Sequence, residues 1–472
     1  SWGLFSTDFA DLDGDGDLDI GSMGFGASDG LQVYLNQGDG SWKRSFGFIG
    51  GNSDHVFVFG DVNNDGHADI ATAKQEGTVW LGDGEGFFTV ADGNLPELPA
   101  FGTRDGPSLG DVDHDGRDDL AFCSEEANAE VWLSRGDGTW EDVSATIPQT
   151  GQCQHTQLHD MNGDGHLDAV TFGSGNVYVY GGDGHGQSWS TLAHFTTPDS
   201  PGSSRCFRVG GDVDHNGRAD MVLVNTKQLS LFDTRNIKHA YREASMAQEL
   251  SIRIVQPGAG RRLHAGSAAF IDWAAEVPLG STATVSLELS TSGPAGSWMP
   301  IATSVPNSGR HQWIVPAAFS DACHLRLTLD TGSSQASVVS PSRFEIARRP
   351  DPLSLRISAA GELSWDDALD RVRFNLYRGD WQQFLQTGMY TQAPDSVPDA
   401  ARWCDLEETT QADPLAPPAG LLVYYLVTGY REMEDGQQPG VPVPMAEGVL
   451  GQRTDAVTRA NAHPCPPRPL PP

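Results

Sequence analysis

Between residues 56 and 90 the chain runs Val56-Phe-Val-Phe59, Ile70-Ala-Thr-Ala73, Thr78-Val-Trp-Leu81 and Phe87-Phe-Thr-Val90, with the turn Gly82-Asp-Gly-Glu-Gly86 before the last run. Short apolar runs broken by Gly and Asp predict strands, and this order predicts a four-stranded meander closed by a glycine-rich hairpin. The hairpin returns as Asn36-Gln-Gly-Asp-Gly40-Ser-Trp42, Arg135-Gly-Asp-Gly138-Thr-Trp140 and Gly181-Gly-Asp-Gly184. Its glycines supply positive φ, and the aromatic after it is expected to pack between neighbouring units.

Between the first two strands of each unit lies a run of carboxylates. The first copy is Asp11-Leu-Asp13-Gly-Asp15-Gly16-Asp17-Leu18-Asp19. Oxygen donors at positions 1, 3 and 5, a glycine at 6, a backbone carbonyl at 7 and a carboxylate at 9 form a shell suited to a hard cation such as calcium. Four further copies follow: Asp61, Asn63, Asp65, Gly66, Asp69; Asp111, Asp113, Asp115, Gly116, Asp119; Asp160, Asn162, Asp164, Gly165, Asp168; Asp212, Asp214, Asn216, Gly217, Asp220. Position 7 holds Asp17, His67, Arg117, His166 and Arg218, which share no side-chain chemistry, as a backbone ligand allows. The first aspartates stand 50, 50, 49 and 52 residues apart, so the loop belongs to a larger repeat. An EF-hand would need a Glu at position 12 and flanking helices, and no copy has that Glu.

These loops in fixed register resemble the FG-GAP/VCBS repeats of calcium-loop β-propellers, also seen in integrin α-subunit headpieces. The resemblance covers residues 1–245. It implies an all-β propeller of about five four-stranded blades holding about five calcium ions, either as a closed ring or as part of a seven-bladed one. A β-solenoid is the other repeat architecture, but its repeats are shorter. The fifth repeat departs from the pattern: Arg235-Asn-Ile-Lys-His-Ala-Tyr-Arg-Glu-Ala reads as a linker or a degenerate closing strand.

From residue 249 the period changes to alternation between Gly, Pro and Ser turns, as in Phe270-Ile-Asp-Trp273, Val285-Ser-Leu-Glu-Leu289 and Leu325-Arg-Leu-Thr-Leu329. Residues 249–347 predict a β-sandwich that resembles the Ig-like modules of secreted cell-wall proteins. After Arg348-Arg-Pro-Asp-Pro352, residues 353–455 alternate again and resemble a fibronectin type III-like sandwich, and 456–472 form a Pro-rich tail. Both sandwiches lack the acidic loops and are expected to be indifferent to calcium.

The chain of 472 residues carries 63 acidic against 30 basic residues, a formal net charge of −33. Such a surface repels nucleic acid, and no apolar run is long enough to span a membrane; the nearest is Gly420-Leu-Leu-Val-Tyr-Tyr-Leu-Val427. The chain opens at Ser1 without Met, which reads as a processed form or a fragment. Six cysteines without CxxC spacing argue against zinc or redox chemistry. Cys153 with Cys206 and Cys404 with Cys465 are candidate bridges, free buried thiols being the alternative.

No HExxH or Walker-type loop occurs, and the carboxylates suited to glycosidase chemistry belong to the loops. His155 and His159 are a close pair at i, i+4 of an inner strand, too far apart to share a metal. Arg-Gly-Asp occurs at 135–137 and 378–380, the first as a by-product of the hairpin motif. The expected function is therefore non-enzymatic: a secreted or cell-surface calcium-binding protein acting in adhesion or in binding a glycan or extracellular protein, with oligomeric state left open. The alternatives are the non-catalytic accessory region of an extracellular hydrolase or lyase, and an envelope scaffold.

Overall fold

The computed structural model describes residues 4–24, 30–48, 56–72, 78–96, 106–124, 127–197, 207–214, 216–230, 233–243 and 249–348, with shorter stretches between 353 and 443. Residues 1–347 form one compact unit and residues 348–472 a second. In the first, four consecutive antiparallel sheets carry the repeats. Blade 1 is β1 (Leu4–Ala10), β2 (Asp19–Gly24), β3 (Leu31–Asn36) and β4 (Trp42–Phe48). Blade 2 is β5 (Phe57–Gly60), β6 (Asp69–Thr72), β7 (Val79–Gly82) and β8 (Phe88–Val90). Blade 3 is β9 (Ser108–Gly110), β10 (Asp119–Cys123), β11 (Ala129–Ser134) and β12 (Trp140–Asp142). Blade 4 is β13 (His155–His159), β14 (Asp168–Gly173), β15 (Asn176–Gly182) and β16 (Trp189–Thr196). The fifth sheet has three strands: β17 (Phe207–Gly211), β18 (Asp220–Ser230) and β19 (Asp233–Tyr241). The stretch from Arg235 is thus a strand paired along β18 and not a linker.

Apolar burial joins each blade to the next. Leu12, Met23 and Leu31 of blade 1 pack with Phe57, Ile70 and Phe88 of blade 2. Comparable clusters join blades 2 and 3, 3 and 4, and 4 and 5. In each of blades 2 to 4 the aromatic after the hairpin, Phe88, Trp140 or Trp189, is buried in the cluster shared with the preceding blade. Trp42, at the front of the series, is 46% exposed.

A second set of contacts latches the inner strands together. Asp8 Oδ2 accepts the Phe59 amide at 3.3 Å, Ser108 Oγ the Leu158 amide at 3.0 Å, and Gln157 Oε1 the Val209 amide at 2.6 Å. All five inner strands, β1, β5, β9, β13 and β17, line one cavity of about 790 Å³, and Arg208 of the fifth sheet acts electrostatically on Asp8 of the first. This arrangement of propeller-like blades follows from an inner strand too short to bury its apolar neighbours alone.

The same unit continues into a two-sheet sandwich. One sheet joins β20 (Ser251–Gln256), β22 (Ala268–Glu276) and β25 (Arg310–Ile314). The other runs β21 (Arg262–His264), β28 (Phe344–Ala347), β26 (Ser320–Asp330), β23 (Thr284–Ser290), β24 (Met299–Pro306), with β27 (Gln335–Val339) also on β26. Alternate burial along β22 and β26 places Ile271, Trp273, Leu325, Leu327 and Leu329 inside.

The second unit packs the sheet β29 (Leu353–Ile357), β30 (Glu362–Asp367) and β33 (Thr410–Ala412) on β32 (Ala401–Leu406), β31 (Arg373–Asp380) and β34 (Val423–Tyr430), around Leu363, Trp365, Phe374 and Leu376. A short helix, α1 (Trp381–Thr387), follows β31. The Pro-rich segment 456–472 lies outside the described residues.

Cys153 is bridged to Cys123, with Cα atoms 5.5 Å apart, and not to Cys206, which lies outside the described residues. The Cys153 amide donates to the Ala127 carbonyl at 2.7 Å, so chain pairing beside β10 brings the two together in the core between blades 3 and 4. Cys404 is disulfide-bonded, Cys323 is free and buried, and Cys465 lies outside the described residues. Non-reducing peptide mapping should recover Cys123 linked to Cys153 and Cys404 linked to Cys465; a freely alkylated Cys404 would exclude the second pair.

Candidate metal centres

The loops join the first strand of each sheet to the second, and their ninth residues, Asp19, Asp69, Asp119, Asp168 and Asp220, begin β2, β6, β10, β14 and β18. These aspartates are buried to 2% exposure or less. In every copy Oδ2 accepts the amide of loop position 2, at 2.7 to 2.8 Å. Oδ1 accepts the amide of Asn36, Gly82, Ser134, Gly182 or Glu243, at 2.8 to 3.2 Å. Position 9 therefore ties the loop to its own sheet.

The first aspartates gather the turn. Oδ2 of Asp11, Asp61, Asp111, Asp160 and Asp212 accepts the amide of the glycine at position 6, at 2.9 to 3.1 Å. Each of these glycines has positive φ, from +81° at Gly217 to +97° at Gly16. The amide of position 7 donates to Oδ1 of Asp15, Asp65, Asp115, Asp164 or Asn216, at 2.8 to 2.9 Å.

Position 7 behaves as its chemistry requires. In four copies its side chain lies over the hairpin glycine of the same blade: Asp17 at Gly38, His67 at Gly84, Arg117 at Gly136 and His166 at Gly184. A β-carbon at Gly84 or Gly184 would meet a histidine nitrogen at 2.2 or 2.1 Å. The side chain is thus committed to the hairpin, which explains why its type varies.

Carboxylate oxygens within 4.8 Å of one another gather in three copies: Asp11, Asp13 and Asp15; Asp111, Asp113 and Asp115; and Asp212, Asp214 and Asp220. Each trio contains a buried oxygen with no hydrogen-bond partner: Oδ1 of Asp11, Asp113 and Asp214. A cation would suit such an oxygen, because two carboxylates at ~4 Å repel by about 1 to 4 kcal/mol at effective dielectrics of 80 to 20. Burial pushes Asp11 up to about 6 and Asp19, Asp61, Asp111 and Asp168 up to about 7. Calcium would be held at positions 1, 3 and 5 with the carbonyl of 7, and would supply the opposing charge. In the copies around Asp61 and Asp160, Asn63 and Asn162 stand at position 3.

All five loops touch the first sandwich. Ala268 donates its amide to Asp11 Oδ2 at 2.6 Å; the Asn64 amide group donates to the Gly260 carbonyl at 2.9 Å and accepts the Arg262 amide at 2.8 Å. Arg261 pairs with Asp118 at 3.0 Å, Arg253 with Asp160 at 2.6 Å, and Asn216 bridges to Glu276. This sandwich is therefore built onto the loops. Asp118 was not among the sequence candidates. Its signal was legible, since position 8 is otherwise Leu18, Ala68, Leu167 and Ala219, and a buried carboxylate there needs a cation.

Other motifs are spent on structure. A nucleophile turn of G-x-S-x-G spacing is not expected from the sequence, yet Gly106-Pro-Ser-Leu-Gly110 has that spacing; Ser108 lies on β9 as the blade latch. His159 lines the cavity, and His155 packs edge-on against Phe207. Arg135 pairs with Glu141, and Arg378 binds both oxygens of buried Asp413 at 2.6 Å, so neither Arg-Gly-Asp presents a free arginine.

No curated protein matches the chain in sequence. Among solved structures, the Photorhabdus luminescens Tc holotoxin pore is similar over 93% of this chain at 13% identity and TM-score 0.33, and the chain spans 20% of that chain's length. FN1-FN3 domains of chicken CNTN1 align over 65% of this chain and 97% of theirs at 10% identity, TM-score 0.13. A mutant of AofleA from Arthrobotrys oligospora aligns over 74% and 92% at 11% identity, TM-score 0.22. The model of the FG-GAP-like repeat matches residues 11–72, 111–171 and 160–223, spans that take in every acidic loop described above. The chain accordingly carries FG-GAP-like repeats within these spans.

Proposed function

We propose that the chain is an extracellular calcium-binding repeat protein that works by binding, in adhesion or in recognition of a glycan or protein, and not by catalysis. The observation that carries this reading is the coincidence of each carboxylate trio with a buried, unpartnered carboxylate oxygen. Extracellular modules hold calcium at about 10⁻⁴ to 10⁻³ M, the range in which exposed loops of this kind fill outside cells. The Cys123–Cys153 bridge supports an oxidising compartment.

Titration calorimetry of the full chain tests the metal: calcium is expected to bind with a Kd near ~0.1 to 1 mM, and magnesium, which demands a tighter octahedron, to compete poorly. Absence of calcium binding sinks the reading. A glycan array, read with and without calcium, tests the ligand class.

The raised carboxyl values give the pH dependence. Between about pH 4 and the values near 6 to 7 to which burial raises these carboxyls, the metal-free fold holds more protons than the unfolded chain, so its stability falls as pH rises through that window. Calcium needs the ionised form. Its affinity is expected to fall by about tenfold per pH unit for each carboxyl that must lose a proton as the medium is acidified below pH 7. Calorimetry at pH 7.5 and 6.0 checks this, and equal affinity at the two would contradict it.

A further inference from the structure

Three histidine side chains of blades 3 and 4 come together beside the acidic loops, outside the oxygen shells described above. His114 is position 4 of the loop between β9 and β10, His166 is position 7 of the loop between β13 and β14, and His185 lies in the hairpin between β15 and β16. Nε2 of His114 stands 3.0 Å from Nδ1 of His166, with ring centroids 5.3 Å apart. His185 is exposed in the turn between Gly184 and Gly186 and acts electrostatically on His114.

The backbone presents this pair across the boundary between the two blades. His114 has φ +61°, in the left-handed region that Asn64 also occupies at position 4 of the second loop. A β-carbon at Gly184 would meet Nδ1 of His166 at 2.1 Å, so the glycine keeps the space beside that nitrogen clear. Asp113, next to His114 in the chain, is committed elsewhere: it belongs to a carboxylate trio and faces Arg135 at 3.8 Å.

We infer that His114, His166 and His185 form a site for a divalent transition ion of the zinc class, which would tie blade 3 to blade 4. Zn–N bonds of ~2.0 to 2.1 Å in a tetrahedron set two ligating nitrogens about 3.3 Å apart, so the pair at 3.0 Å has to open by only a few tenths of an ångström. Each neutral imidazole ligates through one ring nitrogen, and three of them leave the fourth position of the tetrahedron to water. Imidazole suits zinc, copper and nickel, whereas calcium takes oxygen. The site is therefore separate from the calcium reading and stands without it. The net charge of −33 draws cations of either kind toward the chain.

The test titrates zinc by calorimetry into the full chain held in excess calcium. Two variants use residues that other copies of the loop already carry. His114→Asn copies Asn64, and His166→Arg copies Arg117, which lies over its own hairpin glycine as His166 does. Saturable zinc binding is expected in the parent. Each variant should weaken it by at least the ~10- to 100-fold that losing even an outer-shell partner costs, and His185→Ala by about tenfold. Copper(II) in place of zinc gives a second readout: its paramagnetic resonance spectrum should show superhyperfine splitting from coordinated nitrogen, lost in His114→Asn and His166→Arg. No zinc binding in excess calcium would leave His114 and His166 as a hydrogen-bonded pair only and overturn the inference. Equal affinity in the parent and both variants, or a copper spectrum with oxygen ligands alone, would place the ion in the acidic loops and overturn it too. An unchanged affinity in His185→Ala would overturn the three-imidazole assignment.

Discussion

On the proposed calcium reading, a chelator is expected to lower the melting transition of residues 1–347 as one body, the sandwich of residues 249–347 included, and to leave that of residues 348–472 in place. With a Kd of ~0.1 to 1 mM and ~2 mM free calcium, each filled loop contributes roughly 0.6 to 1.8 kcal/mol by linkage. The three loops with a carboxylate trio together give about 2 to 5 kcal/mol, a large share of the ~5 to 15 kcal/mol of a typical domain. The expected shift is roughly 3 to 7 °C for a cooperative unit of this size. The sandwich follows because the Ala268 amide is bonded to Asp11, a residue of the first loop, at the start of β22. Hydrogen exchange read segment by segment separates the possibilities. Faster exchange in both the blades and β22 after chelation supports the coupling; loosened blades with β22 unchanged would contradict it.

Replacing Asp118 with Ala should cost about 3 to 5 kcal/mol, because it leaves the buried guanidinium of Arg261 without its nearest carboxylate. The pair stands at 3.0 Å, with side chains 10% and 19% exposed, and Asp118 also holds the Asp61 amide. The expected cost is toward the lower end of that range, since Asp61 and Asp111 also act on Arg261. The double substitution Asp118→Leu with Arg261→Met should recover much of the loss, as four other copies carry Leu or Ala at this position and an apolar pair removes the uncompensated charge. Denaturant unfolding of the two variants checks both statements. A single variant within 1 kcal/mol of the parent would show that the ion pair is peripheral.

The acidic loops were legible because each is closed by contacts within a few residues. The glycine at position 6 meets Asp11 five residues back, and the position-9 carboxylate meets the amide of Leu12 seven residues back. Local closure of that kind leaves its requirement in the residue types, so spacing alone determined the loop, the strand that follows it and the glycine hairpin. The indifference of position 7 was readable for the same reason. Its cause, the hairpin glycine beneath each side chain, was not.

Contacts between elements far apart in the chain were decided by packing. The sandwich reaches the loops through bonds spanning 143 residues from Arg261 to Asp118 and 257 residues from Ala268 to Asp11, and no periodicity marks such pairs. The same holds for the partner of Cys153, since Cys123 is set beside it by the pairing near β10. Sequence by itself determined which nine-residue stretches could gather oxygen around a cation. Tertiary structure decided which of their carboxylates meet a donor from elsewhere in the chain, Arg253 at Asp160 and Arg261 at Asp118 among them, because a buried carboxylate takes whatever donor the surrounding fold brings within reach.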